Sequence, residues 1–238
     1  MKGYIHSFES LAALDGYGVR YGVFMQGCPL KCEYCHNPDT QRGGGTEYTA
    51  EELTLKIARY KPYFKNGGGV TFSGGEPLCQ AEFIRECIPY LKEKDISYVI
   101  DTSGAVELTQ AVKDVIDGAQ TVILDLKFWD DESYLRRTGR DMKCTLKMLD
   151  FMESINKEVW IRTVAVPGIN DTEEIIGKYI PYIKELKCVK KYEILAFHTM
   201  GFHKYEAMGI SNPLEGTPAL DNDVKDRLQK FADGKLNI

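Results

Sequence analysis

Short apolar segments alternate along the chain with longer segments in which apolar residues recur every three or four positions. The short segments predict six β-strands, over residues 19–26, 69–73, 97–101, 121–126, 158–166 and 190–196. The longer segments predict six helices, over about 50–61, 81–94, 108–117, 142–155, 171–186 and 221–232. Because strands separated by helices imply parallel neighbours joined by right-handed crossovers, the chain is predicted to be an α/β protein.

Several helix ends carry recognisable signals. Thr49 and Glu52 form a capping box at the start of the first helix, and Asp171 or Thr172 is expected to cap the fifth. Pro89 is expected to kink the second helix. Periodicity leaves two architectures open, a flat doubly wound sheet and a curved incomplete barrel. In barrel-like folds the reactive groups gather at the carboxyl ends of the strands.

The composition of the 238 residues, 43% hydrophobic and 27% charged, is that of a globular protein with one substantial core. The formal net charge of −5 gives no sign of a nucleic-acid or membrane partner. The amino terminus has no apolar signal segment and no run of ~18 apolar residues occurs, so we expect a cytoplasmic protein. Seven cysteines in such a chain favour a reducing compartment and a metal or catalytic use.

Cys28, Cys32 and Cys35 lie within eight residues in the loop after the first predicted strand. Three thiolates leave a metal centre one ligand short, which does not suit a structural zinc site with four ligands. In a [4Fe–4S] cluster, normally held by four cysteines, the same shortage leaves one iron open for a non-protein ligand. The alternatives are a zinc site with His36 as fourth ligand and a purely structural cysteine cluster. The remaining cysteines are scattered and are interpreted as small buried hydrophobic residues: Cys79, Cys87, Cys144 and Cys188.

The second predicted strand is followed by Gly74, Gly75 and Glu76. The two glycines allow a close approach of the backbone to a ligand, and the carboxylate suits an ammonium group. An ordinary turn between a strand and a helix explains the same three residues equally well.

The third and fourth predicted strands end in Asp101-Thr102 and Asp125-Leu126-Lys127. Alternation places Ile123, Asp125 and Lys127 on one face of the fourth strand, toward the lumen. Two acids and a lysine there are costly to bury unless they pair or hold a cation. A structural ion pair is the alternative.

Two further polar residues lie on the last two predicted strands. Arg162 stands within the apolar fifth strand, where its guanidinium needs an anion, which a structural salt bridge could also provide. His198 follows the sixth strand, and a lone histidine at that place is more often structural.

The spacing of the three cysteines, followed by His36 and Asn37, resembles the signature of the radical S-adenosylmethionine (radical SAM) superfamily. The resemblance implies one domain over residues 1–238: the (β/α)6 partial TIM barrel of that superfamily, with a short N-terminal extension and a C-terminal helix. It implies one [4Fe–4S] cluster on Cys28, Cys32 and Cys35, with S-adenosylmethionine on the open iron. It implies cofactor contacts by Tyr34, Cys35, His36, Gly74, Gly75, Glu76, Asp125, Leu126, Lys127, Arg162 and His198. It implies a potassium or sodium site formed by Asp101, Thr102, Ile123 and Asp125.

Further segments resemble one family of this superfamily, the pyruvate formate-lyase activating enzymes. They span residues 5–10, 15–20, 24–28, 35–40, 67–71, 73–76, 80–83, 160–162, 166–168 and 198–209. Tyr17 departs from the family, which often has proline there. Residues 36–73 contain no cysteine, so a single cluster is expected.

The family resemblance implies a reaction. A reduced flavodoxin or ferredoxin gives the cluster one electron, S-adenosylmethionine is cleaved, and a 5′-deoxyadenosyl radical removes a hydrogen atom from a backbone glycine of pyruvate formate-lyase. No side chain need act as a general base, because the cofactor performs the difficult step and the protein positions it. A monomer is expected. The rival readings are a small-molecule radical SAM enzyme, such as a 7-carboxy-7-deazaguanine synthase, and an electron-transfer or zinc-binding module.

Overall fold

The apolar segments form an eight-stranded sheet in the computed structural model, which describes residues 1–236. The strands are β1 Lys2–Ala12, β2 Arg20–Met25, β3 Thr46–Thr49, β4 Gly69–Gly74, β5 Ser97–Thr102, β6 Thr121–Asp125, β7 Val159–Ala165 and β8 Val189–Ala196. The helices are α1 Ala50–Ala58, α2 Ala81–Glu93, α3 Gln110–Gly118, α4 Asp131–Thr138, α5 Lys143–Ser154, α6 Glu173–Gly177, α7 Phe202–Ala207 and α8 Asn222–Leu236. Residues 237 and 238, the last two of the predicted domain, lie outside the described residues.

The strand order is β3-β1-β2-β4-β5-β6-β7-β8. The six predicted strands are β2 and β4 to β8, and they are parallel neighbours in chain order. This order lacks the reversal that divides a doubly wound sheet, so it favours the barrel-like architecture. The α/β prediction is confirmed.

The sequence missed the antiparallel edge of the sheet. β1 pairs with β2 on one side and with β3 on the other, so the sheet has eight strands and not six. β3 has only four residues, none of them buried, and β1 mixes polar with apolar residues. Neither segment has the apolar run by which the central strands were predicted.

One predicted helix is wrong, and two helices were missed. The helix predicted over residues 171–186 ends as α6 at Gly177, and a separate 3-10 turn follows at Ile180–Tyr182. Pro181 lies within that turn, and proline cannot donate the hydrogen bond that would continue an α-helix. The missed helices, α4 and α7, have eight and six residues. α2 runs as one helix through Pro89.

The side chains that point into the lumen form layers. Val99, Ile123 and Trp160 form a small apolar cluster on β5, β6 and β7. Two residues further along the same strands stand Asp101, Asp125 and Arg162, which therefore share the same face. An apolar layer thus lies beneath a charged layer at the carboxyl ends of the strands. No helix of residues 1–236 combines the length and apolarity needed to cross a membrane.

Candidate active site

The loop after β2 carries the three clustered cysteines and is held by backbone hydrogen bonds to neighbouring segments. Gly27, with a φ of +98°, turns the chain out of the strand, and its N–H donates to the Thr40 carbonyl at 2.7 Å. The N–H of Cys35 donates to the carbonyl of Cys32 at 3.1 Å, which closes a tight turn. All three cysteines are free thiols, and they line one cavity at the carboxyl ends of the strands.

The environment of these thiols opposes their ionisation. Burial raises the pKa of Cys32 to about 12, against the opposing charge of Lys127. Burial also raises the pKa of Cys28 and Cys35. Because thiolates are the metal-binding form, bound iron would compensate for the cost of ionising them here. Within residues 1–236 no three His, Cys, Asp or Glu side chains converge as ligands of a single metal ion; a [4Fe–4S] cluster does not need that, since its thiolates bind different irons.

The two glycines after β4 are required by the neighbouring backbone. Gly74 has a φ of +110°, and a Cβ there would lie 2.3 Å from the backbone nitrogen of Met25. A Cβ on Gly75 would lie 2.2 Å from the carbonyl oxygen of Gly27 and 3.3 Å from the Cβ of Cys28. These glycines therefore let β4 pack tightly against the root of the cysteine loop, and both line the cavity.

Glu76 is fully buried and takes its hydrogen bonds from inside the protein. Its Oε1 accepts from the Thr102 hydroxyl at 2.6 Å and the Leu78 N–H at 3.1 Å. Its Oε2 accepts from the N–H of Ser103 at 2.9 Å and from the hydroxyl of Ser103 at 2.6 Å. Burial raises the pKa of Glu76 despite these donors. The carboxylate joins the ends of β4 and β5, and it is not among the groups that line the cavity.

The charged layer of the lumen forms the floor of the cavity. Asp125 pairs with Lys127, and Asp101 accepts a hydrogen bond from Ser73 at 2.6 Å. Burial and the neighbouring charge of Asp125 raise the pKa of Asp101 to about 7. Burial opposes the charge of Lys127, but Asp125, Tyr34 and Cys32 together outweigh it, so the pKa of Lys127 is well above its usual range.

Arg162, the third member of this layer, is buried and is already surrounded by acceptors. Its Nε donates to Glu193 at 2.9 Å, its Nη1 pairs with Asp15 at 3.2 Å, and its Nη2 donates to the carbonyl of Leu14. The pKa of Arg162 is raised: Asp101, Asp15 and Glu193 outweigh its burial. Glu193 was not predicted as a site residue. It lies opposite Arg162 on the next strand, a pairing that only the register of β7 and β8 shows.

Two histidines distant in sequence stack beside the cysteine loop. The rings of His36 and His198 lie 3.7 Å apart at an angle of 18°, and the Nε2–H of His36 donates to the carbonyl of His198 at 3.1 Å. Burial and His198 lower the pKa of His36 to about 4. Burial also lowers the pKa of His198, so both rings are neutral at pH 7.

Helix α7 fastens this end of the loop. The Tyr205 hydroxyl donates to the carbonyl of Cys35 at 2.9 Å. The Lys204 ammonium donates to the Asn37 side chain at 2.8 Å and pairs with Asp39 at 3.1 Å. No role at the loop was predicted for Lys204 or Tyr205.

The structure brings most of the predicted site residues to one cavity. The predicted residues that line it are Cys28, Cys32, Tyr34, Cys35, His36, Gly74, Gly75, Asp101, Thr102, Asp125, Lys127 and Arg162. Four others lie beside it: Glu76, Ile123, Leu126 and His198. Their contacts with a cofactor or cation stay predictions.

Comparison with known proteins decides the family. The chain is 43% identical over 233 residues to a pyruvate formate-lyase-activating enzyme of Clostridium pasteurianum, covering 97% of both chains. It is 39% identical to one of Staphylococcus epidermidis, over 100% of this chain and 99% of that protein. Residues 23–179 match the Radical SAM superfamily. The chain belongs to the radical SAM superfamily, among the pyruvate formate-lyase-activating enzymes.

The fold of this radical SAM chain agrees with that family. A solved domain of a pyruvate formate-lyase-activating enzyme from Bacteroides vulgatus superposes with a TM-score of 0.57 at 19% identity, covering 71% of this chain and 94% of that domain. The predicted radical SAM partial barrel is confirmed.

Membership of the superfamily brings a [4Fe–4S] cluster and S-adenosylmethionine, and Cys28, Cys32 and Cys35 fit the cluster motif. The cavity fits such ligands on its own chemistry. It gathers three free thiols next to a half-buried cation, Lys127. Within residues 1–236, the buried hydroxyl of Tyr34 and the buried Nδ1 of His198 have no hydrogen-bond partner, and buried polar groups normally have one.

Proposed function

We propose that this radical SAM protein activates pyruvate formate-lyase by removing a hydrogen atom from a backbone glycine of that enzyme. When bound, the cluster and S-adenosylmethionine supply a 5′-deoxyadenosyl radical as the hydrogen acceptor. The observation that carries the proposal is a single cavity that combines three free thiols with charged strand ends, in a chain that matches activating enzymes over nearly its full length.

The side chains of the cavity bind and orient, and none is assigned to proton transfer. Cys28, Cys32 and Cys35 hold the cluster. Lys127, paired with Asp125, offers an ammonium to a carboxylate or a ribose hydroxyl of the cofactor. The flat stack of His36 and His198 offers a surface for the adenine ring.

The assignment of Arg162 to the methionine carboxylate is kept as a proposal in a modified form. Its guanidinium already contacts Asp15, Glu193 and the Leu14 carbonyl. Arg162 lines the cavity, so its positive charge reaches an anion there without those contacts breaking. Glu76 acts through Thr102 and Ser103, which it holds at the end of β5.

A potassium or sodium ion next to the cofactor is also proposed. Asp101 and Asp125 stand on adjacent strands, and like charges this close repel unless a cation neutralises them. The pKa of about 7 for Asp101 expresses that repulsion and its burial. The Thr102 side chain and the Ile123 carbonyl complete the proposed ligand set.

The partner, the donor and the setting of the reaction complete the proposal. The barrel is incomplete, because β3 and β8 form the two edges of the sheet, and a glycine-bearing loop of pyruvate formate-lyase enters through this opening. A reduced flavodoxin or ferredoxin supplies the electron. The protein acts as a monomer in the cytoplasm.

The proposal is tested by activating the partner directly. The cluster-loaded protein is reduced anaerobically with S-adenosylmethionine and purified pyruvate formate-lyase, and electron paramagnetic resonance records the glycyl radical. We expect a radical with the wild type and none with Cys32→Ala. Cleavage of S-adenosylmethionine without a radical on the partner would contradict the activating role and favour a small-molecule substrate.

A further inference from the structure

Basic side chains cluster on the outer side of the cysteine loop, where the loop packs against the carboxyl end of α4. Lys31, Arg136 and Arg140 are exposed there, and Arg137 is half-buried. We call these four residues the basic patch. Backbone hydrogen bonds fix it to the loop: the N–H of Lys31 donates to the carbonyl of Thr138 at 2.7 Å, and the Glu33 N–H donates to that of Arg137 at 3.0 Å.

The charge of the basic patch is largely uncompensated. Arg137 pairs with Glu33 at 2.6 Å and lies over the ring of Phe128. Across residues 1–236, no carboxylate lies within 4.0 Å of the charged groups of Lys31, Arg136 or Arg140. Three cations without an ion pair thus lie at the carboxyl end of α4, on a chain whose formal net charge is −5. Arg140 shares a surface pocket with Glu107 and Asp141, whose charges are balanced there by Lys143 and Lys147. Such a local field attracts an acidic surface although the protein as a whole is acidic.

The basic patch lies next to the cluster site without entering the cavity. None of its four residues lines that cavity, yet Lys31 directly precedes the cluster ligand Cys32. Leu135, which directly precedes Arg136 on α4, is 55% exposed and adds an apolar side chain to this surface. A protein bound to this patch would contact the cysteine loop on its outer side, outside the cavity. The cofactor and the glycine loop could then occupy the lumen at the same time.

We propose that the basic patch is the docking surface for an acidic one-electron carrier protein. The inference rests on the proposed function, because only a reaction started by one electron needs such a partner at the cysteine loop. The carrier gives up one electron and is oxidised, and the cluster on Cys28, Cys32 and Cys35 is reduced by that electron. No bond forms or breaks and no proton moves in this step.

The test reverses the three free cations. The variant is Lys31→Glu with Arg136→Glu and Arg140→Glu; Arg137 is kept because of its contacts. The hydrogen bonds that fix the loop come from backbone atoms, so the exchange leaves them in place. The matched control makes the same change of net charge at exposed residues outside the patch, on α8 and after the 3-10 turn that packs against it: Lys184→Glu, Arg227→Glu and Lys230→Glu.

Reduction of the cluster is followed anaerobically by its visible absorbance, without S-adenosylmethionine, after mixing with reduced flavodoxin and, in a second series, reduced ferredoxin. We expect the patch variant to be reduced more slowly by roughly 10- to 1,000-fold, the range that electrostatic steering gives, and the control to match the wild type. Added salt should slow the wild type and should no longer slow the patch variant.

Dithionite, a small reductant that needs no docking surface, separates a defect in docking from a defect in the proposed function. With dithionite, the patch variant should cleave S-adenosylmethionine at the wild-type rate. Equal reduction of variant and wild type by both carriers would overturn the docking surface. Failure of both carriers to reduce the cluster of the wild type would also overturn it. A defect of the patch variant seen only in radical formation on pyruvate formate-lyase would overturn it too, and would assign the patch to that partner.

Two further results complete the test. If the glutamate variant loses iron, the triple alanine variant at the same positions replaces it and should show a smaller loss of the same kind. A wild type that cleaves no S-adenosylmethionine with dithionite would contradict the proposed function itself.

Discussion

Replacing Glu76 by glutamine tests whether its carboxylate holds the ends of β4 and β5 together. Each carboxylate oxygen accepts one backbone N–H, from Leu78 or Ser103, and one hydroxyl, from Thr102 or Ser103. Glutamine keeps a single oxygen. In either orientation of the amide, its NH2 group faces the backbone N–H of Leu78 or of Ser103. Both groups are then donors, and a backbone N–H cannot become an acceptor.

The magnitude follows from the bonds lost. Two hydrogen bonds to a charged acceptor disappear, each worth about 1.5–3 kcal/mol. Part of that loss is offset, because a neutral amide is easier to bury than a carboxylate whose pKa burial raises. We expect Glu76→Gln to lower the free energy of unfolding by about 2–4 kcal/mol.

Urea unfolding of the cluster-free protein at pH 8, followed by circular dichroism, measures this change. The matched control is Glu185→Gln at an exposed site, which should stay within about 0.5 kcal/mol of the wild type. A Glu76→Gln loss as small as the control's would refute the bracing role and return Glu76 to the prediction that it receives the cofactor's amino group.

Three other sets of substitutions test separate parts of the site. Alanine at each loop cysteine should abolish iron binding in reconstituted protein, whereas alanine at the scattered cysteines should leave the iron content unchanged; these are Cys79, Cys87, Cys144 and Cys188. Asp101 binds a proton more tightly in the folded protein, where its pKa is about 7 against an ordinary value of 3.8. The free energy of unfolding of the cluster-free protein should therefore fall by up to about 4 kcal/mol as the pH rises from 4 to 7. Urea titrations of Asp101→Asn should show no such dependence on pH. Gly75→Ala should lower iron binding, because its Cβ would lie 2.2 Å from the carbonyl oxygen of Gly27.

Each of these expectations has a contrary result. Loss of the cluster on replacing a scattered cysteine would show that the loop alone does not hold it. Parallel pH profiles for wild type and Asp101→Asn would show that the group does not titrate in this range. Wild-type iron content in Gly75→Ala would mean that the loop can move aside. Gly43→Ala is the matched control, because Gly43 also lacks a positive φ and no atom lies within 4 Å of the added Cβ.

The central strands were predictable from sequence because strands buried on both faces consist of nearly continuous apolar residues. Three of the five residues of β6 are apolar, a buried threonine begins the strand, and Asp125 ends it at the cavity. β3 carries no such mark: it is a strand only because β1 lies beside it. For α4, the signals were present and unused, since Asp130 caps its start and Gly139, at a φ of +78°, ends it.

The residues of the candidate site were predictable from sequence, but the hydrogen bonds and ring contacts that these residues make were not. The cysteine spacing and the polar strand ends pointed to one cavity. The hydrogen bonds of Glu76 reach 26 and 27 residues along the chain, and the stack of His36 on His198 spans 162. Such pairings depend on how strands and loops meet in space, so sequence alone could assign Glu76 only by resemblance.

The central claim, transfer of a glycine hydrogen to the cofactor-derived radical, is tested most directly with isotopes. Pyruvate formate-lyase labelled with deuterium at its glycines, and a short peptide copying its glycine-radical loop with the same label, are each given to the reduced, cofactor-loaded protein. Mass spectrometry of the 5′-deoxyadenosine should show deuterium from both, with less turnover on the peptide because a free loop must be ordered on binding. Deoxyadenosine without deuterium from either substrate would contradict the account.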